Sequence, residues 1–317
     1  MVARTIPAIL AVLLMAFAGV PAMAAEDPGP PLSAPEAAMD AAVTCTADIK
    51  DARVNPVLLV HGTGATPQEY WSWNYERALP ALGVPVCTVA LPERALISVP
   101  IANEYLVHAI RRVHDLSGRK VSVLGHSQGG THILWSLRFW PDLPDKVDDV
   151  VALSGDFHGT AIGNLVCAGP CTAISWQARI GSNLLTRMTR DPLPVGPSYT
   201  TVQTVFDEIV TPAPQAGRLD GAANFTVQDF CPGRLADHVT MLADNVAWQV
   251  AVDALTHDGP AVASRIRAQC WKPFLPNVDL LGFANAVPTV GSALGGILGL
   301  TQPKLPAEPE LPGYARP

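Results

Sequence analysis

The stretch Lys120-Val-Ser-Val-Leu124-Gly125-His126-Ser127-Gln128-Gly129 decides the fold. A short β-branched run meets a G-x-S-x-G pentapeptide, and helix-forming residues resume at Thr131. In such a turn the chain passes from strand to helix so sharply that only glycines fit two residues on either side of the serine, whose own backbone is held strained. The hydroxyl is thereby presented at the carboxyl edge of a sheet. A glycine-rich turn with an incidental serine would show the same pentapeptide, so it is the strand before and the helix after that make Ser127 a candidate nucleophile.

Outward from this turn, strand-like runs cover residues 54–60, 84–91, 147–153, 202–206 and 224–227, and helical patterns cover 102–116, 131–139 and 241–255. Strands separated by helix-length segments imply parallel crossovers. The expected fold is α/β, an α/β-hydrolase fold with a mostly parallel central sheet and helices on both faces. No internal repeat or interdomain linker is visible. Residues 157–200 break every period with glycines, prolines, Cys167 and Cys171, and read as a cap or lid insertion over the site.

The 317 residues include 21 Lys or Arg and 28 Asp or Glu, a net charge of −7, which gives no basic footprint for nucleic acid. With 49% hydrophobic and 15% charged residues, the chain can bury a large core. Its N-terminus has the pattern of an export signal: Arg4, an uncharged apolar run from Ile6 to Val20, and Ala22-Met23-Ala24 as a cleavage site after residue 24. Residues 25–44 read as a loose Pro/Ala-rich lead-in, and the hydrolase domain as 45–317. Secretion follows, and six cysteines then suggest three bridges. Cys167 and Cys171 flank Ala-Gly-Pro and are expected to pair locally. Cys45, Cys87, Cys231 and Cys270 are not paired by sequence alone.

In α/β hydrolases one oxyanion N–H comes from the residue after the nucleophile and another from the loop after an early strand. Here these are Gln128 and the loop His61-Gly62-Thr63-Gly64, which follows Pro56-Val-Leu-Leu-Val60. The chain order serine, acid, histidine places the acid at the end of a later strand. Asp207 is expected to close the strand 202–206, and adjacent carboxylates point to opposite sides, so Glu208 is left a surface or structural role. Of the two later histidines, His257 is explained by a helix C-terminus, and His238 is the candidate base. His61, His108, His114, His126, His132 and His158 read as structural or solvent-facing, and no histidine or cysteine spacing suits a zinc site. No cofactor or metal is expected.

With these residues placed, the chain resembles the secreted lipases similar to Candida antarctica lipase B. The stretches that carry the resemblance are Pro56 to Gly64, Asn103-Glu-Tyr105, Ser127-Gln-Gly-Gly130, Asp207-Glu-Ile-Val210 with Pro212, Asp237-His238, and Pro303-Lys304 through Tyr314-Ala-Arg-Pro317. The resemblance implies Ser127, Asp207 and His238 as a catalytic triad, Thr63 and Gln128 as oxyanion residues, and the Thr63 hydroxyl as a third donor. It also implies the bridges Cys45 to Cys87 and Cys231 to Cys270, and Asp156 as a polar group near the substrate pocket. His126 stands where those lipases have a pocket-shaping tryptophan, so it is a candidate substrate-binding residue and their chiral preference does not carry over. Ala307 replaces a cysteine of their C-terminal bridge.

Leu280 to Leu300 is an uncharged stretch with Gly291, Gly295 and Gly299 four apart. A membrane anchor and an apolar helix beside the pocket mouth both fit this pattern; Asn285, Pro288 and the glycines favour the globular alternative. The expected protein is a secreted monomeric serine hydrolase of apolar carboxylic esters such as acylglycerols, working through an acyl-enzyme, with transient contact to a lipid interface. A short-chain esterase or polyester hydrolase is the alternative within catalysis. A non-catalytic binding protein of hydrolase fold is the alternative outside it.

Overall fold

The computed structural model describes residues 27–316; the expected export signal, residues 1–24, lies outside them. In chain order the strands are β1 (Val43–Cys45), β2 (Val57–Val60), β3 (Val86–Val89), β4 (Val121–His126), β5 (Val147–Leu153), β6 (Cys171–Thr172), β7 (Ser198–Gln203), β8 (Ala223–Thr226) and β9 (Lys304–Leu305). Seven of them form one sheet in the order β1-β3-β2-β4-β5-β7-β8, parallel except for β1, which runs antiparallel to β3. β6 and β9 make a separate antiparallel pair.

Every residue of β2, β3 and β4 is buried, as a sheet covered on both faces requires. Leu58, Val60, Val89 and Val123 face the helices Val99–Ser117 and Gln128–Phe139, while Val57, Leu59, Val86 and Leu124 face the helix Asn245–Thr256 with Trp71 and Tyr75. Each fully buried Leu or Ile in these layers contributes roughly 1.5–3 kcal/mol. The loops that follow β2, β4, β5, β7 and β8 all leave from the carboxyl edge, which is where an open α/β sheet gathers its functional groups.

Three expectations need correction. The strand read as 202–206 is Ser198–Gln203, so Asp207 lies in the turn beyond β7 instead of closing the strand, and Val205 and Phe206 are exposed. The segment read as a cap accordingly stops short of residue 198; it holds the short helices Ala161–Val166, Ala173–Gln177 and Asn183–Thr189. The lead-in is not loose. It contains the helix Glu36–Ala41 and β1, buries Met39, and docks on the helix Val99–Ser117: Ser33 Oγ and the Ala34 N–H donate to Glu104 at 2.7 Å, and Asp40 receives His108 and Arg112 at 2.8 Å. In the C-terminal stretch a Cβ at Gly291 would meet nothing, Gly299 follows the helix at φ 70°, and a close approach is made by Gly296 against Leu96.

That stretch is a 3-10 turn Gly282–Ala286 followed by the helix Val287–Ile297. Among the described residues no helix is long and apolar enough to cross a membrane. Three disulfides close: Cys45–Cys87, Cys167–Cys171 and Cys231–Cys270. At the C-terminus, Tyr314 packs its ring 5.6 Å from Phe139 and 5.4 Å from Trp140, and Ala315 is buried.

Candidate active site

Ser127 joins β4 to the helix Gln128–Phe139 with φ 57° and ψ −130°, a conformation that costs a non-glycine residue roughly 1–3 kcal/mol. The turn is locked by its neighbours. A Cβ at Gly125 would lie 2.6 Å from the Gly129 carbonyl carbon, and one at Gly129 would lie 2.3 Å from the Val60 carbonyl oxygen. The Ser127 N–H donates to Leu153 O on β5 at 2.9 Å.

His238 is fixed from two directions. Asp237 and Thr240 brace the turn: the Asp237 carboxylate accepts from the Thr240 N–H at 2.7 Å and hydroxyl at 2.8 Å. The His238 N–H donates to Glu208 Oε2 at 3.1 Å, which gives Glu208 the structural role expected of it. His238 Nδ1 lies 2.9 Å from Asp207 Oδ2 and 3.0 Å from Oδ1. Because a carboxylate only accepts, Nδ1 carries the proton and Nε2 is left unprotonated, able to accept one. Burial alone would raise the Asp207 pKa; the His238 hydrogen bond and charge, together with the Val210 and Ile209 N–H groups, outweigh it and hold the carboxyl below its ordinary value. Among the described residues no hydrogen bond joins Ser127 Oγ to the His238 ring; such bonds commonly tighten only with substrate bound.

The loop after β2 presses against the serine: a Cβ at Gly62 would lie 3.0 Å from Ser127 Cβ. His61 is its scaffold. The Leu91 N–H donates to His61 Nε2 at 3.0 Å, so Nδ1 carries the proton to Gly62 O at 2.9 Å, and burial lowers the imidazole pKa to about 4. The backbone N–H groups of Thr63 and Gln128 have no partner among the described residues, as an oxyanion site requires. The Thr63 hydroxyl differs from the expectation of a free third donor: it donates to Gln128 Oε1 at 2.6 Å.

His126 is placed differently from a pocket wall. It is fully buried, its Nε2 lies 2.9 Å from the His238 carbonyl oxygen, and its Nδ1 lies 2.7 Å from Tyr70 Oη. A carbonyl only accepts, so Nε2–H donates there and Nδ1 accepts from the Tyr70 hydroxyl. Burial, then the His238 charge, lowers its pKa to about 3, and the neutral ring braces the backbone of His238. Tyr70 was not legible in the sequence; nothing local marks a tyrosine whose partner lies 56 residues away.

Asp156 stands beside the serine with 8% exposure, its N–H 3.4 Å from Ser127 O and its carboxylate accepting the Gly159 N–H at 2.8 Å. Burial, reinforced by Asp207, raises its pKa to about 7. His257 ends the helix Asn245–Thr256 and donates to Asp253 O at 3.0 Å, far from this cluster in role. His132 is buried against Asn103, His114 pairs with Asp115, and His158 bonds Arg218 O at 2.9 Å. Among the described residues no three His, Cys, Asp or Glu side chains converge as a metal site would require.

No protein-family model matches the chain. Lipase B of Pseudozyma antarctica is 31% identical over 304 residues, spanning 91% of this chain and 87% of that protein. The crystal structure of Aspergillus fumigatus lipase B matches with a TM-score of 0.83 at 31% identity, covering 91% of this chain and 74% of that one. Bacillus licheniformis lipase BlEst2 in its mature form, at 16% identity and a TM-score of 0.51 over 63% of this chain and 92% of that one, shares the fold. A shared sheet with the serine turn at its carboxyl edge, and identity sustained over nine-tenths of the length, lead to one conclusion: the chain belongs to the lipase B family of α/β hydrolases.

Proposed function

We propose that this chain is a serine lipase or carboxylesterase that hydrolyses apolar carboxylic esters through an acyl-enzyme on Ser127. His238 Nε2 takes the hydroxyl proton as Oγ attacks the carbonyl carbon, and Asp207 holds the ring and steadies the imidazolium. The Thr63 and Gln128 N–H groups receive the negative oxygen of the tetrahedral intermediate. Collapse expels the alcohol, which takes the proton from His238; water then repeats the attack and releases the acid. The observation that carries this reading is the 2.9 Å bond from His238 to Asp207 beside a serine held at φ 57°.

The surroundings support a substrate class. Val287, Val290, Leu294 and Leu298 form an exposed apolar face on and just beyond the helix Val287–Ile297, whose Ala293 rests on Gly64 of the oxyanion loop. Such a face suits transient contact with a lipid surface and favours acylglycerols over short, soluble esters. Three disulfides fit an oxidising compartment, in keeping with export after loss of residues 1–24.

The test is Ser127→Ala together with a chain-length series of p-nitrophenyl esters from acetate to palmitate. The variant should lose about 10⁴-fold or more of kcat, and the parent should also act on emulsified triacylglycerol. Activity confined to acetate and butyrate would make the protein a short-chain esterase, preference for polymer films a polyester hydrolase, and a fully active alanine variant would remove Ser127 from the chemistry.

A further inference from the structure

Three consecutive non-glycine residues, Glu93, Arg94 and Ala95, hold φ at 47°, 60° and 57°. Left-handed backbone is disfavoured for L residues because Cβ crowds the following carbonyl oxygen. Such backbone persists only where its surroundings over-determine it, and it gathers at working sites. Arg94, at the centre, explains the arrangement. Its carbonyl accepts the Gly64 N–H at 2.8 Å, and its Nε donates back to Gly64 O at 2.8 Å, so one residue grips the peptide groups on both sides of Gly64. The first of these is bonded directly to Thr63, the proposed oxyanion donor.

The same guanidinium holds the helix Val287–Ile297. Nε also reaches Ser292 Oγ at 2.8 Å, and a terminal nitrogen pairs with Glu69, which in turn accepts the Thr289 hydroxyl at 2.7 Å. Gly64 sits at φ 77° with Ala293 against it, where an added Cβ would lie 2.5 Å from the Ala293 nitrogen.

We propose that Arg94 is a positioning residue for the oxyanion hole, clamping Gly64 so that the Thr63 N–H stays aimed and seating the C-terminal helix on the same loop. The proposal rests on the ester hydrolysis assigned above. A lysine offers one point charge in place of the planar fork and does not serve Gly64, Ser292 and Glu69 at once.

The experiment compares the parent with Arg94→Met and Arg94→Lys on p-nitrophenyl butyrate and measures inhibition by butylboronic acid, whose serine adduct is tetrahedral. Misplacing a donor by about 1 Å costs up to ~10²-fold, so kcat should fall by about 10- to 100-fold and the boronate Ki should rise by the same factor, with KM within about twofold and no rescue by lysine. A residue that only stabilises the fold would lower the melting temperature and leave kcat and Ki unchanged, and that result overturns the proposal. Should Arg94→Met not fold, Glu69→Gln loosens the guanidinium while leaving it in place. It should move kcat and Ki in the same directions by a few fold, and no movement overturns the proposal. A parent that hydrolyses no ester and is not labelled on Ser127 by a fluorophosphonate fails the functional reading and takes the proposal with it. An active, labelled parent with an unaltered Arg94→Met variant removes the role of Arg94 alone.

Discussion

The helix Gln128–Phe139 buries every residue from Gln128 to Leu137, whereas the helix Val287–Ile297 buries only Gly295 and Gly296. By residue type the reverse would be expected. The first contains Gln128, Thr131, His132, Ser136 and Arg138; the second has only Thr289 and Ser292 as polar side chains. Connectivity decides. The first helix is the crossover between β4 and β5, and some of its polar groups find partners inside, with Asn103 Nδ2 donating to His132 O at 2.8 Å and to Ser136 Oγ at 2.6 Å. The second hangs on Glu69 and Arg94 by those two hydroxyls and turns its aliphatic side chains outward. Apolarity therefore says that a surface wants cover, while topology says whether the protein itself supplies it.

The strongest way to break this contrast is to place the same charge on each helix. Ile133→Asp puts an unpaired carboxylate where exposure is 0%, at a cost of several kcal/mol against a typical total stability of about 5–15 kcal/mol, and should yield no folded protein. Val290→Asp should change stability by no more than about 0.5 kcal/mol. Thermal denaturation of both variants checks the pair; equal effects would show that the outer helix is as integral as the inner one.

A finer measurement asks what covers the outer helix. Joining Val290→Asp with Leu294→Asp should reduce hydrolysis of emulsified triacylglycerol by about tenfold while leaving hydrolysis of dissolved p-nitrophenyl butyrate within about twofold, since a lipid surface is repelled and a free substrate is not. Equal losses on both substrates would place the face inside the cleft.

A pH-dependent test lies under the inner helix, where Asp156 O accepts the Thr131 hydroxyl. The Asp156 carboxyl has a folded pKa of about 7 against an unfolded value of about 3.9. Between those values the folded state keeps the extra proton, so the stability this group contributes is full in acid, falls as pH rises and levels off above about 7. Asp156→Asn can keep the acceptor for Gly159 without the charge. Its stability relative to the parent should grow by at least ~1 kcal/mol between pH 4 and pH 8, and a constant difference would mean the carboxyl is not held neutral.

The serine turn was legible because its requirements are local: a strand, two glycines at fixed offsets and a helix lie within twenty residues. Asp207 and His238 followed from chain order. The strand before Asp207 begins four residues and ends three residues earlier than expected because hydroxyls disguise it: Ser198 Oγ donates to Asp149 at 2.7 Å and Thr201 Oγ1 to Asn224 at 2.9 Å, whereas Val205 and Phe206 look like strand and face solvent. The lead-in was misread because its composition is that of a linker, and its anchors on Glu104, His108 and Arg112 come from some seventy residues away. Arg94 and Tyr70 carry no local signature for the same reason.

β1 is only three residues long, yet it forms one border of the sheet, and the strand behind it, β3, is buried throughout. A bare strand border offers unpaired N–H and C=O groups to any passing chain and is a common route to aggregation. Cys45 lies in register with Cys87 and is bonded to it, so this narrow hem is stitched to the fabric it protects. A segment whose composition suggests slack thus guards the sheet against joining its neighbours, and it does so by a bond that survives even when the hydrogen bonds of so short a strand fray.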